Sequence, residues 1–251
     1  MSAAAIKAIL FDKDGTLIDF NRTWYGVSRR LALESADGDE ARADALMAQA
    51  GYDAARGVFR PGSAIAAGTN ADIVALWHGD LAPAAQRERI RHFDHVTAEA
   101  GAREAVPLAG MHDALAALRE AGFALGVATN DSTDGAERTL LALGVAQMFD
   151  VVLGYDSVAN PKPAADAVLA FADALALHPA QIAMVGDNRH DLVAGRAAGV
   201  GLNVAVLSGT GTRETLAPLA DMLLGSIADL PARLAATRQG RRGPARRPPA
   251  E

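Results

Sequence analysis

Cysteine is absent from the 251 residues, and lysine nearly so: of 24 cationic side chains only Lys7, Lys13 and Lys162 are lysines. Without cysteine there is no disulfide framework, no thiolate metal site and no cysteine nucleophile. With arginine as the default cation, each lysine hints at a position that wants a compact point charge. No apolar run is long enough to span a bilayer. The chain passes into its first strand within a few residues of Met1, which leaves no room for a signal peptide and points to a cytoplasmic protein. Neither common nucleotide-binding loop is present: no G-x-G-x-x-G follows a strand, and no G-x-x-x-x-G-K-[ST] occurs. Repeats at solenoid periods are missing as well. Cationic charge is scarce over the body of the chain. The net charge is −6, yet the segment from Arg238 onward holds five Arg against one Glu, so the remainder carries −10. A folded part that acidic disfavours nucleic acid, whose binding needs Lys and Arg arrayed against phosphates.

What is present is an ordinary globular mix, half apolar and 22% charged, long enough for one large or two modest domains. An apolar run over 6–11 reads as a buried strand. An alanine-rich region follows whose apolar residues keep helical spacing: Trp24, Val27 and Leu31; Ile73, Leu76 and Trp77; then Ile90, Phe93 and Val96 after Pro83, stopping near Gly101. Pro61-Gly62-Ser63 divides these helices into two groups. No strand is expected before Phe123. From Pro107 helices and strands alternate, with strands at 123–128, 151–153, 182–185, 202–206 and 222–224, and a helix opening at Pro163. This rhythm predicts an α/β fold with a doubly wound parallel sheet. The expected organisation is a core of 1–18 and 104–234, a helical insert of 19–103, and a disordered basic tail of 235–251.

Four polar clusters each follow an apolar strand or open a helix. They are Asp12-Lys13-Asp14-Gly15-Thr16, Thr129-Asn130-Asp131, Asn160-Pro161-Lys162-Pro163, and Gly186-Asp187 through Asp191. In a parallel sheet the strands end on one edge, so the clusters converge there. Asp12 and Asp14, at i and i+2 of an extended segment, aim at one spot. Two carboxylates about 4 Å apart repel by roughly 4 kcal/mol at an effective dielectric of 20, which calls for a proton or a divalent cation between them. Asp12, Asp14 and Asp187 are hard oxygen ligands of the kind Mg²⁺ takes. Thr129 stands before a helix N-terminus, which favours anions. Lys162, between two prolines, supplies a fixed cation on a stiff backbone. Together these residues describe a phosphoryl site with a carboxylate nucleophile and a second carboxylate for proton transfer.

In order and spacing the four clusters resemble the motifs of the haloacid dehalogenase superfamily, over about 6–230. Within it the chain looks most like the phosphoglycolate phosphatase group. The resemblance implies a Rossmannoid core with a small α-helical cap inserted after the first strand. It implies Asp12 as nucleophile and Asp14 as general acid/base. Mg²⁺ would be held by the Asp12 carboxylate, the Asp14 main-chain carbonyl and the Asp187 carboxylate. Thr129 and Asn130 would hold phosphoryl oxygens, Lys162 would bind nucleophile and phosphate, and Asp191 would orient Lys162 or reach the metal through water. Dehalogenase members lack an acid at the Asp14 position, because a halide leaves without a proton, so its presence argues for phosphoryl transfer.

The expectation is therefore a Mg²⁺-dependent phosphatase, monomeric or homodimeric, acting on a small phosphorylated metabolite such as 2-phosphoglycolate. The alternatives are a phosphomutase, a 2-haloacid dehalogenase and a catalytically silent phosphate-binding regulator. Lys13 departs from the apolar residue usual in the family; by strand alternation its side chain should point away from Asp12 and Asp14. Trp24, Arg56, Arg60 and Ser63 are the insert's candidates to face the cleft, Arg60 as a substrate contact from its loop and Trp24 equally well as core. His92 and His95 share a helical face without carboxylates to complete a metal site, and read as solvated.

Overall fold

The computed structural model of the protein describes residues 5–241. Strand β1 (Ala8–Phe11) leads directly into a helical insert. That insert comprises α1 (Phe20–Ser35), α2 (Glu40–Ala50), a two-residue hairpin of β2 (Tyr52–Asp53) and β3 (Val58–Phe59), α3 (Ala64–Ala67), α4 (Asn70–Trp77) and α5 (Pro83–Glu104). The chain then returns through α6 (Met111–Glu120), β4 (Ala124–Ala128), α7 (Thr133–Ala142), β5 (Val151–Leu153), α8 (Asp166–Ala174), β6 (Ile182–Gly186), α9 (Arg189–Ala198), β7 (Leu202–Val206), α10 (Arg213–Leu216), β8 (Met222–Leu224) and α11 (Leu230–Arg241).

The six long-range strands form one parallel sheet in the order β5-β4-β1-β6-β7-β8. The chain builds outward from β1 in one direction, then starts again at β6 and builds outward in the other. The order therefore reverses between β1 and β6, and a crevice opens at their carboxyl ends. Asp12 and Asp187 are the residues that follow those two strands. Alternation along β1 sends Ile9 and Phe11 to one face and Ala8 and Leu10 to the other. The first face packs on Met111, Leu115 and Leu118 of α6 and on Leu230 and Leu234 of α11. The second packs on Val168 and Phe171 of α8 and Ala194 of α9. All four β1 residues are fully buried, as a central strand covered on both faces must be.

The insert has its own core of Phe20, Trp24, Val27, Leu31, Met47, Phe59, Ile73, Trp77 and Phe93. Asp19 caps α1 by accepting from Arg22 N–H, which fixes where the chain leaves the sheet. Helix α5 returns past α7, and Asp94 Oδ2 accepts from the Tyr155 hydroxyl at 2.7 Å, joining cap to core.

Four local features differ from the sequence reading. The hairpin β2–β3 lies where no strand was expected, because two-residue strands carry no period-2 signal. Helix α5 continues past Gly101 to Glu104; a Cβ at Gly101 would sit 3.0 Å from the Trp24 ring, so this glycine makes room for packing and does not stop the helix. Helix α8 begins at Asp166 rather than Pro163. Helix α11 runs through the boundary expected after Leu234, and the rest of the expected tail, 242–251, lies outside the described residues. No helix among the described residues is long and apolar enough to cross a membrane.

Candidate active site

Seven of the eight residues singled out in the sequence line one cleft between core and cap: Asp12, Asp14, Thr129, Asn130, Lys162, Asp187 and Asp191. The cleft encloses about 770 Å³, counting its open mouth. Arg60 is the exception. It is exposed, it does not line the cleft, and its guanidinium donates to the Ala48 carbonyl at 2.9 Å. Its place after β3 turns it along the outside of the cap, so the expected substrate contact is not made. Arg56 and Ser63 are also outside the cleft wall.

The centre of the site is Lys162. Its Nζ donates to Asp12 Oδ1 and to Asp191 Oδ1, each at 2.6 Å, with all three side chains buried. The second oxygen of Asp191 accepts the Asn188 main-chain N–H at 2.9 Å, closing a capping box at the start of α9. One carboxylate thus caps a helix and aims a lysine. Asp12 itself is anchored by its N–H donating to Val185 of the neighbouring strand at 2.8 Å.

Asp187 is gripped from the loop after β7. Its Oδ2 accepts from Thr210 N–H at 2.7 Å and from the Thr210 hydroxyl at 3.4 Å. The backbone closes tightly around this carboxylate: a Cβ on Gly209 would fall 2.0 Å from its Oδ2, and one on Gly15 (φ +88°) 2.7 Å from its Cγ. Only glycine fits both places. Ser208 adds a hydrogen bond from its hydroxyl to Gly15 O at 2.8 Å.

Asp14 receives three donors. Its Oδ1 accepts from Trp24 Nε1 at 2.6 Å and Lys13 Nζ at 2.8 Å, and its Oδ2 from the Thr129 hydroxyl at 3.4 Å. The expectation that Lys13 points away from Asp14 is wrong. The strand ends at Phe11 and the chain already bends at Lys13, so period-2 alternation no longer applies there. Lys13 is fully buried, lies 3.2 Å from Asp131 Oδ2, and stands over the Trp24 ring at 5.1 Å. Burial opposes its charge, but Asp14 and Asp131 outweigh that and hold its pKa above the usual value.

Asn130 sits in the cleft, yet its Nδ2 donates to Ala67 O at 2.8 Å and to Lys162 O at 2.9 Å. Both amide hydrogens are thereby used on the cap and on the Lys162 loop, which leaves none for a phosphoryl oxygen. His190 Nδ1 also donates to Ala67 O, at 3.0 Å, and Asn188 Nδ2 to Ala66 O at 3.5 Å. Three core side chains therefore latch the end of α3. His92 and His95 are exposed and paired with Glu34 and Glu99.

Charge is the outstanding feature of the site. Oxygens of Asp12, Asp187 and Asp191 lie within 4.8 Å of one another, and among the described residues no other such group of potential metal ligands occurs. Desolvation, with Asp191 and Asp14 adding to it against Lys162, pushes the Asp12 carboxyl up to about 7. Desolvation, Asp12 and Asp191 push Asp187 well above the carboxylate range. One lysine shared among three buried carboxylates leaves negative charge without an offset, and that is what a hard divalent cation supplies. Lys162 and Asn188 already occupy both oxygens of Asp191, and Thr210 occupies one of Asp187. Asp12 Oδ2 and Asp187 Oδ1 are left for such an ion.

Trp24, read as equally suited to core and cleft, serves both. Two groups of this site escaped the sequence reading. Thr210 lies in Ser208-Gly209-Thr210-Gly211, a fifth polar cluster after a strand, which the rule used for the other four would have found. The latch by Asn188 and His190 has no signal in sequence, because its acceptors are main-chain carbonyls.

Comparison with known proteins agrees with this geometry. A family model described as haloacid dehalogenase-like hydrolase matches residues 6–199. Phosphoglycolate phosphatase from Chromobacterium violaceum is 31% identical over 235 residues, 92% of this chain and 97% of that protein. Phosphoglycolate phosphatase from Escherichia coli (strain K12) is 37% identical over 122 residues, 48% of each chain, so the match spans about half the length of that relative. Among solved structures, CbbY from Rhodobacter sphaeroides in complex with phosphate shares 27% identity at a TM-score of 0.62, over 90% of this chain and 96% of that one. A predicted phosphoglycolate phosphatase from Haemophilus somnus has the same fold, with 23% identity and a TM-score of 0.69 over 92% and 98%. The family match runs from β1 through α9 and so spans the inserted helices and the converging aspartates, and the chain belongs to the haloacid dehalogenase-like hydrolases.

Proposed function

We propose that this protein is a Mg²⁺-dependent phosphatase that hydrolyses small phosphomonoesters through an aspartyl-phosphate on Asp12. The observation that carries the reading is the pairing of Asp12 with Lys162 at 2.6 Å beside a separate, independently held carboxylate, Asp14. One carboxylate is poised next to a cation that also attracts phosphate. The other is free of that pair and available for proton transfer.

Asp12 attacks phosphorus, and the P–O bond to the alcohol breaks as the new one forms. Asp14 donates a proton to the departing alkoxide. It then removes one from the water that attacks the acyl phosphate, which restores Asp12 and releases inorganic phosphate. Lys162 offsets charge on Asp12 and on the phosphoryl oxygens, and Asp191 keeps its Nζ in place. Thr129, whose hydroxyl lies 3.4 Å from Asp14 Oδ2, would offer that hydroxyl to a phosphoryl oxygen. Asp12 and Asp187 would hold Mg²⁺, which supplies the missing positive charge against the carboxylates and the phosphoryl group. Asp14 argues against a dehalogenase, whose leaving group takes no proton. The relatives' names place 2-phosphoglycolate among the substrates to be tried.

The test is phosphate release from a panel of phosphomonoesters, p-nitrophenyl phosphate and 2-phosphoglycolate included, with and without Mg²⁺. Sustained release that chelation stops supports the reading. Retention of the phosphoryl group on an organic product indicates a mutase, and no release from any ester indicates a silent regulator.

A further inference from the structure

The wall that the cap presents to the cleft carries no formal charge. Its body is Phe20, Trp24, Leu31, Ile65, Ile73 and Trp77. Phe20, Trp24, Ser28 and Leu31 recur at i, i+4, i+8 and i+11, one continuous stripe of α1. The polar groups of this wall are neutral and mostly occupied. Thr69 bonds Asp72, Asn70 Nδ2 bonds Asp94 and Thr97, and Thr97 donates to Phe93 O at 2.9 Å. The Ser28 hydroxyl has no partner among the described residues and faces the cleft.

The cap does contain arginines, and the structure places them elsewhere. Arg29 pairs with Glu40 and Asp44, Arg30 with Glu104, and Arg89 with Glu34, while Arg60 bonds the Ala48 carbonyl. None of them lines the cleft. On the core side the lining carries five aspartates, at 12, 14, 131, 187 and 191, against Lys162. A second anionic group on the substrate would be desolvated between apolar side chains, beside carboxylates, with no cation to meet it.

Resting on the phosphatase reading above, we infer that the cap selects phosphomonoesters of an uncharged alcohol with an aromatic or branched aliphatic body, and disfavours those whose alcohol carries a carboxylate or a second phosphate. The phosphoryl end meets Lys162 and the aspartates, and the alcohol end meets Trp24, Leu31, Ile73 and Trp77. The Ser28 hydroxyl, and Oδ1 of Asn70, whose Nδ2 alone is occupied, are able to hydrogen-bond a substrate hydroxyl.

The experiment compares esters without and with an anionic group on the alcohol: benzyl phosphate with 4-carboxybenzyl phosphate, and, matched in size, 2-phosphoglycolamide with 2-phosphoglycolate. With Mg²⁺ present, kcat/KM is expected to favour the uncharged member of each pair by at least about tenfold. Equal rates, or faster turnover of the carboxylates, overturn the inference while leaving the phosphatase reading intact. No turnover of any of the four, nor of p-nitrophenyl phosphate, overturns both. A second arm uses Ser28→Lys, which places a cation on the wall. It is expected to raise the ratio of 4-carboxybenzyl to benzyl phosphate turnover by about tenfold. An unchanged ratio in folded variant, judged by circular dichroism, counts against the inference. The wild-type pairs decide it on their own should the variant not fold.

Discussion

Trp24 Nε1 stands 2.6 Å from Asp14 Oδ1, so a side chain of the cap holds the carboxylate that we assign to proton transfer. The same indole ring covers Lys13, which donates to the same oxygen. Cap position and the orientation of Asp14 are therefore linked through one residue. Trp24→Phe keeps the packing and removes the donor. A hydrogen bond to a charged group is worth about 1.5–3 kcal/mol, so kcat should fall roughly 10- to 100-fold. Steady-state kinetics checks this; an unchanged kcat would mean that the bond does not position Asp14 during turnover.

Asp14→Asn removes the proton carrier and leaves Asp12 in place. General acid/base groups contribute about 10²–10⁴-fold, and a loss of kcat in that range is expected. The loss in kcat/KM, which covers steps only up to cleavage of the ester bond, should shrink with p-nitrophenyl phosphate, whose leaving group needs less help from a proton. Equal losses for alkyl and aryl esters would contradict the assignment.

Lys13, itself fully buried, neutralises two half-buried carboxylates, Asp14 and Asp131. Lys13→Met leaves both without their cation, and breaking a buried pair costs about 3–5 kcal/mol. Chemical denaturation should show a stability loss of that order. A variant as stable as the parent would mean that the pair is already compensated in some other way.

The response to pH follows from the buried acids. Burial pushes Asp12 up to about 7 from 3.8 and Asp187 well above the same value. Between these limits the metal-free folded chain binds protons that the unfolded chain has released. These groups therefore contribute stability at the acid end, and it is lost as pH rises through about 7. A bound divalent cation favours the ionised carboxylates, so the rise in Tm produced by Mg²⁺ should grow from about pH 5 to about pH 8. Thermal melts with and without Mg²⁺ at several pH values measure this. An increment that shrinks over that window would contradict the carboxylate site. Asp187→Asn should weaken Mg²⁺ binding at least about 100-fold by calorimetry, since even residues that only orient ligands contribute 10–100-fold.

The sheet was legible in the sequence because its strands are short apolar runs closed by polar clusters, and because helices of regular length separate them. Asp12, Thr129, Lys162 and Asp187 could be placed on one edge for the same reason: in a parallel sheet, position after a strand is position in space. Lys13 was misread because alternation holds only while the chain stays extended, and the chain bends at Lys13, two residues past the end of β1. Arg60 was misplaced because a loop residue's direction depends on tertiary packing, here on the Ala48 carbonyl. Asn130 was correctly located, but the use of its side chain was not legible, since its Nδ2 partners are main-chain carbonyls of Ala67 and Lys162. The charge of the cap wall could not be read at all until the insert's helices were oriented, because one helix carries both kinds of residue: Arg22, Arg29 and Arg30 share α1 with Trp24 and Leu31.

The account depends on phosphorus becoming bonded to Asp12. The direct measurement is to quench the enzyme during turnover of a phosphomonoester, reduce the acyl phosphate with borohydride, and map the modified residue by mass spectrometry. The account predicts homoserine at position 12, and none in Asp12→Asn, which should be folded and without turnover. Modification at another residue, or undiminished phosphate release by pure Asp12→Asn protein, would contradict it.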